Sequence, residues 1–115
     1  MSKRGGLESL SDIKEAARRI EVYIKKNSYR KFLKDIKTQD AVVRNLEIIG
    51  EAAKNVSDDL KKEYPEIQWK KLAGVRDRLI HHYFGVNYDI VWVIANKELP
   101  KIILRIEDII KKSRN

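Results

Sequence analysis

Three residues within positions 76–83 have side chains suited to chemistry on a phosphate ester. Arg76 precedes His81 by five residues, and Tyr83 follows two residues later. Histidine moves protons near neutral pH, and a guanidinium stabilises extra negative charge on phosphoryl oxygens. Without a metal, this pair suits RNA cleavage by the ribose 2′-OH, which leaves a 2′,3′-cyclic phosphate and a 5′-hydroxyl. The same pair could equally bind a phosphate without cleaving it.

The helix expected to carry these residues begins near Glu66 or Gln68 and ends near Phe84. Its apolar stripe runs through positions 69, 72, 76, 79 and 83, so Arg76 and Tyr83 are in register with the buried face. A charged guanidinium there is costly unless it is paired or lines a cleft. This conflict between pattern and residue type marks Arg76 as a candidate functional residue.

Arg76 and its neighbours also have structural explanations. Arg76 could pair with Glu47 or Glu51 of another helix and lock the helices together. Asp77 could orient a histidine or simply lie at the surface. Tyr83 could be a core tyrosine with its hydroxyl at the rim of the core.

The two histidines, His81 and His82, constrain the chemistry further. Adjacent histidines on a helix point about 100° apart, and no set of other ligands at suitable spacing accompanies them, so we expect no metal site and no cofactor. Within one straight helix, His81 lies roughly 140° around the axis from Arg76. A site that uses both residues therefore needs a loosened helix end or a second subunit.

The sequence pattern predicts helices in the rest of the chain. Apolar residues recur at helical spacing in three long stripes: Leu10, Ile13, Ala17, Ile20 and Ile24; Val42, Leu46, Ile49, Ala53 and Val56; and Ile102, Ile103, Ile106, Ile109 and Ile110. We expect the first helix to start near residues 9–12, Thr38 to cap the next long helix, and Pro100 to kink or restart the last. Strand alternation and hairpin signals do not appear. The sequence predicts an all-α, up-and-down bundle of four to five helices.

Length and composition narrow the class of protein. The 115 residues predict one helical domain over 1–115, with residues 1–8 as a flexible N-terminus. The chain has no cysteine, which excludes disulfides and thiolate chemistry. No apolar run reaches the length of a membrane span, and the first residues lack the apolar stretch of a secretory signal. We therefore expect a cytoplasmic protein that does not associate with membranes.

The net charge of +8 is concentrated between positions 18 and 37. Eight basic residues lie there with Tyr23, Tyr29 and Phe32 between them, against two acidic ones. Such a stretch suits RNA, whose phosphates bind cations and whose bases stack on aromatic rings. The candidate RNA-binding residues are Arg18, Arg19, Lys25, Lys26, Arg30 and Lys31. A solvated helix face in a lysine-rich protein explains the charge equally well.

The motif and its surroundings resemble the HepT-like proteins of the HEPN superfamily. Arg76-x4-His81-x-Tyr83 is similar to their R-x4-H-x-Y signature. The likeness extends to the stretch 44–52 (RNLEIIGEA), to the lead-in 69–77 (WKKLAGVRD), and to residues 83–87 and 91–92. It covers about residues 9–110.

This resemblance implies a HEPN bundle that acts as a homodimer, with the motifs of both subunits lining one cleft. It implies a metal-independent endoribonuclease toxin whose antitoxin is a minimal nucleotidyltransferase. Arg76 and His81 would be the catalytic pair, with Asp77 in support. Tyr83 would accept AMP from the antitoxin, which silences the toxin. Two other classes stay open: a catalytically silent subunit that docks a nucleotidyltransferase or a nucleotide, and a helical dimerisation module in which Arg76 is structural.

Overall fold

The computed structural model describes residues 2–80 and 85–113, and in these ranges the regular structure is helical. The helices are α1 (Ser2–Ile24), α2 (Tyr29–Phe32), α3 (Ile36–Lys54), α4 (Asp58–Glu63), α5 (Trp69–Ala73), α6 (Val75–Leu79), α7 (Tyr88–Val93) and α8 (Leu99–Ser113). A π-helical segment, Ile94–Glu98, joins α7 to α8. The predicted all-α class is confirmed.

Three long rods form the bundle: α1, α3 and the continuous helix made by α7, the π-helical segment and α8. The start of α1 lies beside the end of α3, because a Cβ on Gly6 would be 3.4 Å from Ser57 Oγ. The end of α1 lies beside the start of α8, since Ile24 and Leu99 line one groove. α1 therefore runs antiparallel to each of the other two rods, as the predicted up-and-down arrangement requires.

The core is built from the stripes that the sequence predicts. The first and second stripes are buried throughout, with relative exposures of at most 8%. In the last stripe, Ile106, Ile109 and Ile110 are buried, whereas Ile102 and Ile103 are half-buried. Burying one such aliphatic side chain stabilises the fold by about 1.5–3 kcal/mol, so these stripes supply most of the driving force.

The boundaries of two helices differ from the prediction. α1 begins at Ser2, whereas the start signals predicted a helix from residues 9–12. The flexibility of residues 1–8 stays a prediction. Asp35, rather than Thr38, caps α3: its carboxylate accepts a hydrogen bond from the Thr38 backbone N–H at 3.1 Å. Aspartate and threonine can both cap a helix. Asp35 takes this role, and its carboxylate also accepts a hydrogen bond from the Thr38 hydroxyl at 2.6 Å.

Pro100 does not restart the chain, because the last helix runs through it. Proline lacks the N–H that would donate to the carbonyl four residues earlier, and its ring crowds that carbonyl. The chain relieves this conflict by widening into the π-helical segment just before the proline. The helix then continues to Ser113.

Candidate active site

A break at Gly74 sets the orientation of Arg76. The predicted single helix is divided there into α5 and α6, each of five residues. After the break, Val75 and Leu79 turn inward, at 2% and 1% exposure. Arg76 is consequently at the surface, with 69% of its side chain exposed. The predicted placement of Arg76 in the buried register is wrong, because it assumed one unbroken helix.

Arg76 faces the exposed side of α3. Its Nε lies 3.7 Å from a carboxylate oxygen of Glu47, the first of the two partners suggested by the sequence. Both side chains contact water, and an exposed pair of this kind contributes roughly 0–1 kcal/mol to stability. The pair is too weak to make Arg76 a residue on which the fold depends.

Arg76 lies in an open cleft of about 470 Å³ between α1, α3 and the α5–α6 junction. Its charged lining includes three cations and three carboxylates: Arg44, Lys54, Arg76, Asp12, Glu47 and Glu51. Arg44 and Lys54 were not among the site residues predicted from the sequence. Their signal was available, because positions 44, 47, 51 and 54 form a charged stripe on the face of α3 opposite its apolar stripe.

The chain beyond α6 leaves the helical path at once. Ile80 has an extended backbone, with φ −91° and ψ 128°. It forms an antiparallel bridge with Val86, and the Asn87 N–H donates to the Leu79 carbonyl at 2.7 Å. The predicted continuation of the helix to Phe84 is therefore wrong. Gly85, the residue just before Val86 of the bridge, has φ +76°, a conformation that favours glycine.

This helix end changes the geometric argument about the two catalytic candidates. The 140° separation of Arg76 and His81 holds only along a continuous helix, and α6 ends at Leu79. The loosened helix end that a joint site requires is thus present before His81. His81, His82 and Tyr83 themselves lie outside the described residues. Asp77 is exposed in the first turn of α6.

The basic stretch has a different structure from the one that base stacking requires. Phe32 is fully buried and packs against Trp92, with ring centroids 5.3 Å apart. The Tyr29 hydroxyl donates to Asp89, which raises the pKa of Tyr29, and the ring packs on Trp92. Tyr23 is half-buried. Phe32 is part of the core, so the interpretation of Phe32 as a free stacking platform is wrong. Tyr29 packs on Trp92 but remains 42% exposed, so its stacking on bases stays a prediction.

The cations of that stretch are nevertheless accessible. All six candidate RNA-binding side chains are exposed: Arg18, Arg19, Lys25, Lys26, Arg30 and Lys31. Arg18 is 3.7 Å from Glu107, and Arg19 is 3.3 Å from Glu15. Among the described residues that line the cleft, none of the six appears. The structure therefore separates the basic stretch from the cleft of Arg76.

Over residues 2–80 and 85–113, no three His, Cys, Asp or Glu side chains are grouped so that they could hold a metal ion. In the same ranges, no helix combines the length and the apolar character needed to cross a membrane.

Sequence comparison identifies the family. The profile of the family described as "Ribonuclease HepT-like" matches residues 13–109. The chain belongs to the HepT-like ribonuclease family. A Methanocaldococcus jannaschii protein named as a candidate RNase is 47% identical over 111 residues, which is 96% of this chain and 92% of that protein. A Thermococcus cleftensis protein named as a candidate ribonuclease HepT is 45% identical over 100 residues, covering 87% of this chain and 91% of its own. No solved structure matches the chain.

Proposed function

We propose that this HepT-like protein is a metal-independent endoribonuclease of the HEPN type. The observation that carries the proposal is the exposed Arg76 in an open cleft, where its ion pair with Glu47 among the described residues is weak, one helical turn before α6 ends at Leu79. An arginine that the fold does not need, in a family of ribonucleases, is available for the substrate. This favours the catalytic interpretation over the purely structural one.

The proposed reaction uses Arg76 and His81. The ribose 2′-oxygen attacks the adjacent phosphorus while its proton is taken up by a base, and the bond from phosphorus to the 5′-oxygen breaks. His81 is that base, and it passes the proton on to the departing 5′-oxygen, because an imidazole titrates near neutral pH. Arg76 stabilises the additional charge on the phosphoryl oxygens. Asp77 supports the histidine by orienting it. The products are a 2′,3′-cyclic phosphate and a 5′-hydroxyl.

We further propose that two copies of the chain form the working enzyme, with both motifs lining a shared cleft. RNA would reach the cleft through cations at the surface. Arg44 and Lys54 line the cleft itself, and the exposed basic residues of α1 and α2 lie outside it. Phosphate contacts of this kind supply affinity without sequence preference. A strict monomer at micromolar concentration would rule out the shared cleft.

Control by a minimal nucleotidyltransferase antitoxin completes the proposal of a toxin–antitoxin pair. Transfer of AMP from ATP to the Tyr83 hydroxyl, with release of pyrophosphate, would add bulk and negative charge next to the RNA path. Phosphates of RNA would then be repelled and the toxin silenced. Incubation with such a nucleotidyltransferase and ATP should add AMP to the wild-type chain. An adduct that persists in Tyr83→Phe would place the acceptor elsewhere.

The nuclease proposal is tested by incubating the purified protein with RNA and EDTA. We expect fragments with 2′,3′-cyclic phosphate ends from wild type and none from Arg76→Ala or His81→Ala. Arg105→Ala is the matched control, since Arg105 is also an exposed arginine and pairs with Glu66 away from the cleft. Equal cleavage by wild type and both motif variants would refute the proposal. Binding of RNA without cleavage would favour the silent binding subunit.

A further inference from the structure

Helix α6 is too short to hold its own position. It has five residues, and its N-cap, Gly74, provides no side-chain hydrogen bond. Isolated helices shorter than about 12–15 residues are marginal in water, so tertiary contacts must fix α6. Val75 and Leu79 anchor one side of it in the core. The Asn87 N–H bond to the Leu79 carbonyl and the Ile80–Val86 bridge hold the C-terminal end of α6. A side-chain contact on a second side of the helix would further restrict its rotation about its own axis.

Arg78 makes that contact. Its Nη1 and Nη2 donate to the two carboxylate oxygens of Glu98, each at 2.9 Å. About a third of each side chain is exposed, at 32% and 28%. A bidentate bond of this kind fixes direction as well as distance. It lowers the pKa of Glu98, and Lys71 Nζ lies 3.8 Å from the same carboxylate.

The π-helical segment determines where Glu98 points. Glu98 is the last residue of that segment, two residues before Pro100. A π-helical turn inserts one extra residue into a helix, which rotates the following side chains by about 100° relative to an unbroken α-helix. The widened turn before the proline thereby brings the Glu98 carboxylate to Arg78. The bidentate pair therefore depends on the π-helical distortion.

The pair grips α6 on the side away from Arg76. Two residues correspond to about 200° around a helix, so Arg76 and Arg78 emerge on nearly opposite sides. A side-chain tip about 5–6 Å from the axis moves roughly 1 Å when the helix rolls by 10°. A displacement of about 1 Å at a catalytic group can cost on the order of 100-fold in rate. Loss of the pair would therefore displace the Arg76 guanidinium and lower the rate of cleavage.

We propose that Arg78 and Glu98 are positioning residues, whose bidentate pair stops α6 from rolling and keeps Arg76 directed into the cleft. The effect on cleavage rests on the proposed nuclease function, but the effect on the orientation of Arg76 does not. The two parts can be measured separately.

The orientation is measured with a spin label at position 76. The chain has no cysteine, so Arg76→Cys creates a unique thiol for a nitroxide. We expect Glu98→Gln to increase the mobility of this label. Glu66→Gln is the control, because it removes the same charge from a pair, Glu66–Arg105, that does not touch α6. Identical spectra with and without Glu98→Gln would overturn the proposal, whatever RNA assays show.

Cleavage kinetics measure the consequence. At a temperature where both proteins are folded, Glu98→Gln should lower kcat by about tenfold or more and leave KM within about threefold, since a misplaced group mainly affects the transition state. Arg78→Lys, which keeps the charge and loses the fork, should fall between Glu98→Gln and wild type. Glu66→Gln should leave kcat unchanged. An unchanged kcat with a raised KM would assign the pair to RNA binding and overturn the positioning role.

Discussion

Gly50→Ala tests how closely α3 supports the junction that carries Arg76. Gly50 lies inside α3, where alanine is ordinarily favoured over glycine by about 0.5–1 kcal/mol. Here a Cβ would lie 3.1 Å from Val75 Cγ1 and 3.3 Å from the Ala73 carbonyl oxygen. Val75 is stiff and 2% exposed, and the carbonyl belongs to the end of α5. Overpacking of this kind costs about 1–3 kcal/mol, so we expect a net loss of about 1 kcal/mol.

Gly6→Ala is the matched control within the same chain. Gly6 is also helical, in α1, but the nearest atom to its added Cβ is Ser57 Oγ at 3.4 Å. That distance is an ordinary contact, so the gain in helix propensity should survive. The free energies of unfolding of the two variants should therefore differ by about 1–3 kcal/mol, with Gly50→Ala the less stable.

Urea denaturation of wild type and both variants measures this difference. In a thermal melt, each kcal/mol corresponds to about 3–6 °C in Tm for a chain of this size. If Gly50→Ala is as stable as Gly6→Ala, the close approach of α3 to the α5–α6 junction is not as the structure has it. A stable Gly50→Ala would also show that the packing of α3 against Val75 and Ala73 does not fix the position of Arg76.

Three further predictions follow from the described contacts. Arg76→Ala should change the free energy of unfolding by less than about 1 kcal/mol, because its ion pair is exposed; a larger loss in urea denaturation would return Arg76 to a structural role. Phe32→Ala should cost about 3–5 kcal/mol, because Phe32 is fully buried; a variant of near wild-type Tm with weakened RNA binding would instead make Phe32 a stacking residue. The lowered pKa of Glu98 should make the protein acid-sensitive. This stabilisation is complete above the unfolded pKa of about 4.3 and is lost as pH falls through the folded pKa. Melts below pH 5 should show a shallower fall in Tm for Glu98→Gln than for wild type.

The long helices were predictable from the sequence because each one satisfies a local rule over many residues. The stripe of α3 repeats for four turns, and every predicted member of it is buried. Such a pattern does not depend on which partner covers it. The all-α class and the up-and-down arrangement followed from the same periodicity.

The predictions from sequence failed where a single residue is compatible with two backbone structures. Gly74 is one isolated glycine in an otherwise helical pattern, which a helix often tolerates. Here it divides the helix and turns the face that follows it. Pro100 was expected to kink or restart the chain; the helix does not restart there, and a π-helical turn precedes the proline. Neither outcome can be decided without the packing of the neighbouring helices.

Contacts between distant residues gave no local signal at all. Arg78 and Glu98 are twenty positions apart, and nothing in either neighbourhood distinguishes them from other surface charges. Phe32 lies in a run of basic residues that suggested an exposed, RNA-facing surface, yet it fills a space beside Trp92. Charge composition describes the surface around a residue and says little about where its own side chain packs.

Arg76 and Arg78 show how this exchange of roles bears on function. Arg76 was a candidate from the sequence because a cation in a buried register needs an explanation. In the structure the partly buried, firmly paired arginine is Arg78, whereas Arg76 is exposed beside Glu47. A buried register therefore no longer marks Arg76 as a functional residue, but its exposure and weak pairing do. An arginine that contributes little to the fold, on a short helix that a second arginine holds in place, is suited to receive a phosphate. The two arginines of α6 thus have different roles: Arg78 fixes the helix, and Arg76 is available to a ligand in the cleft.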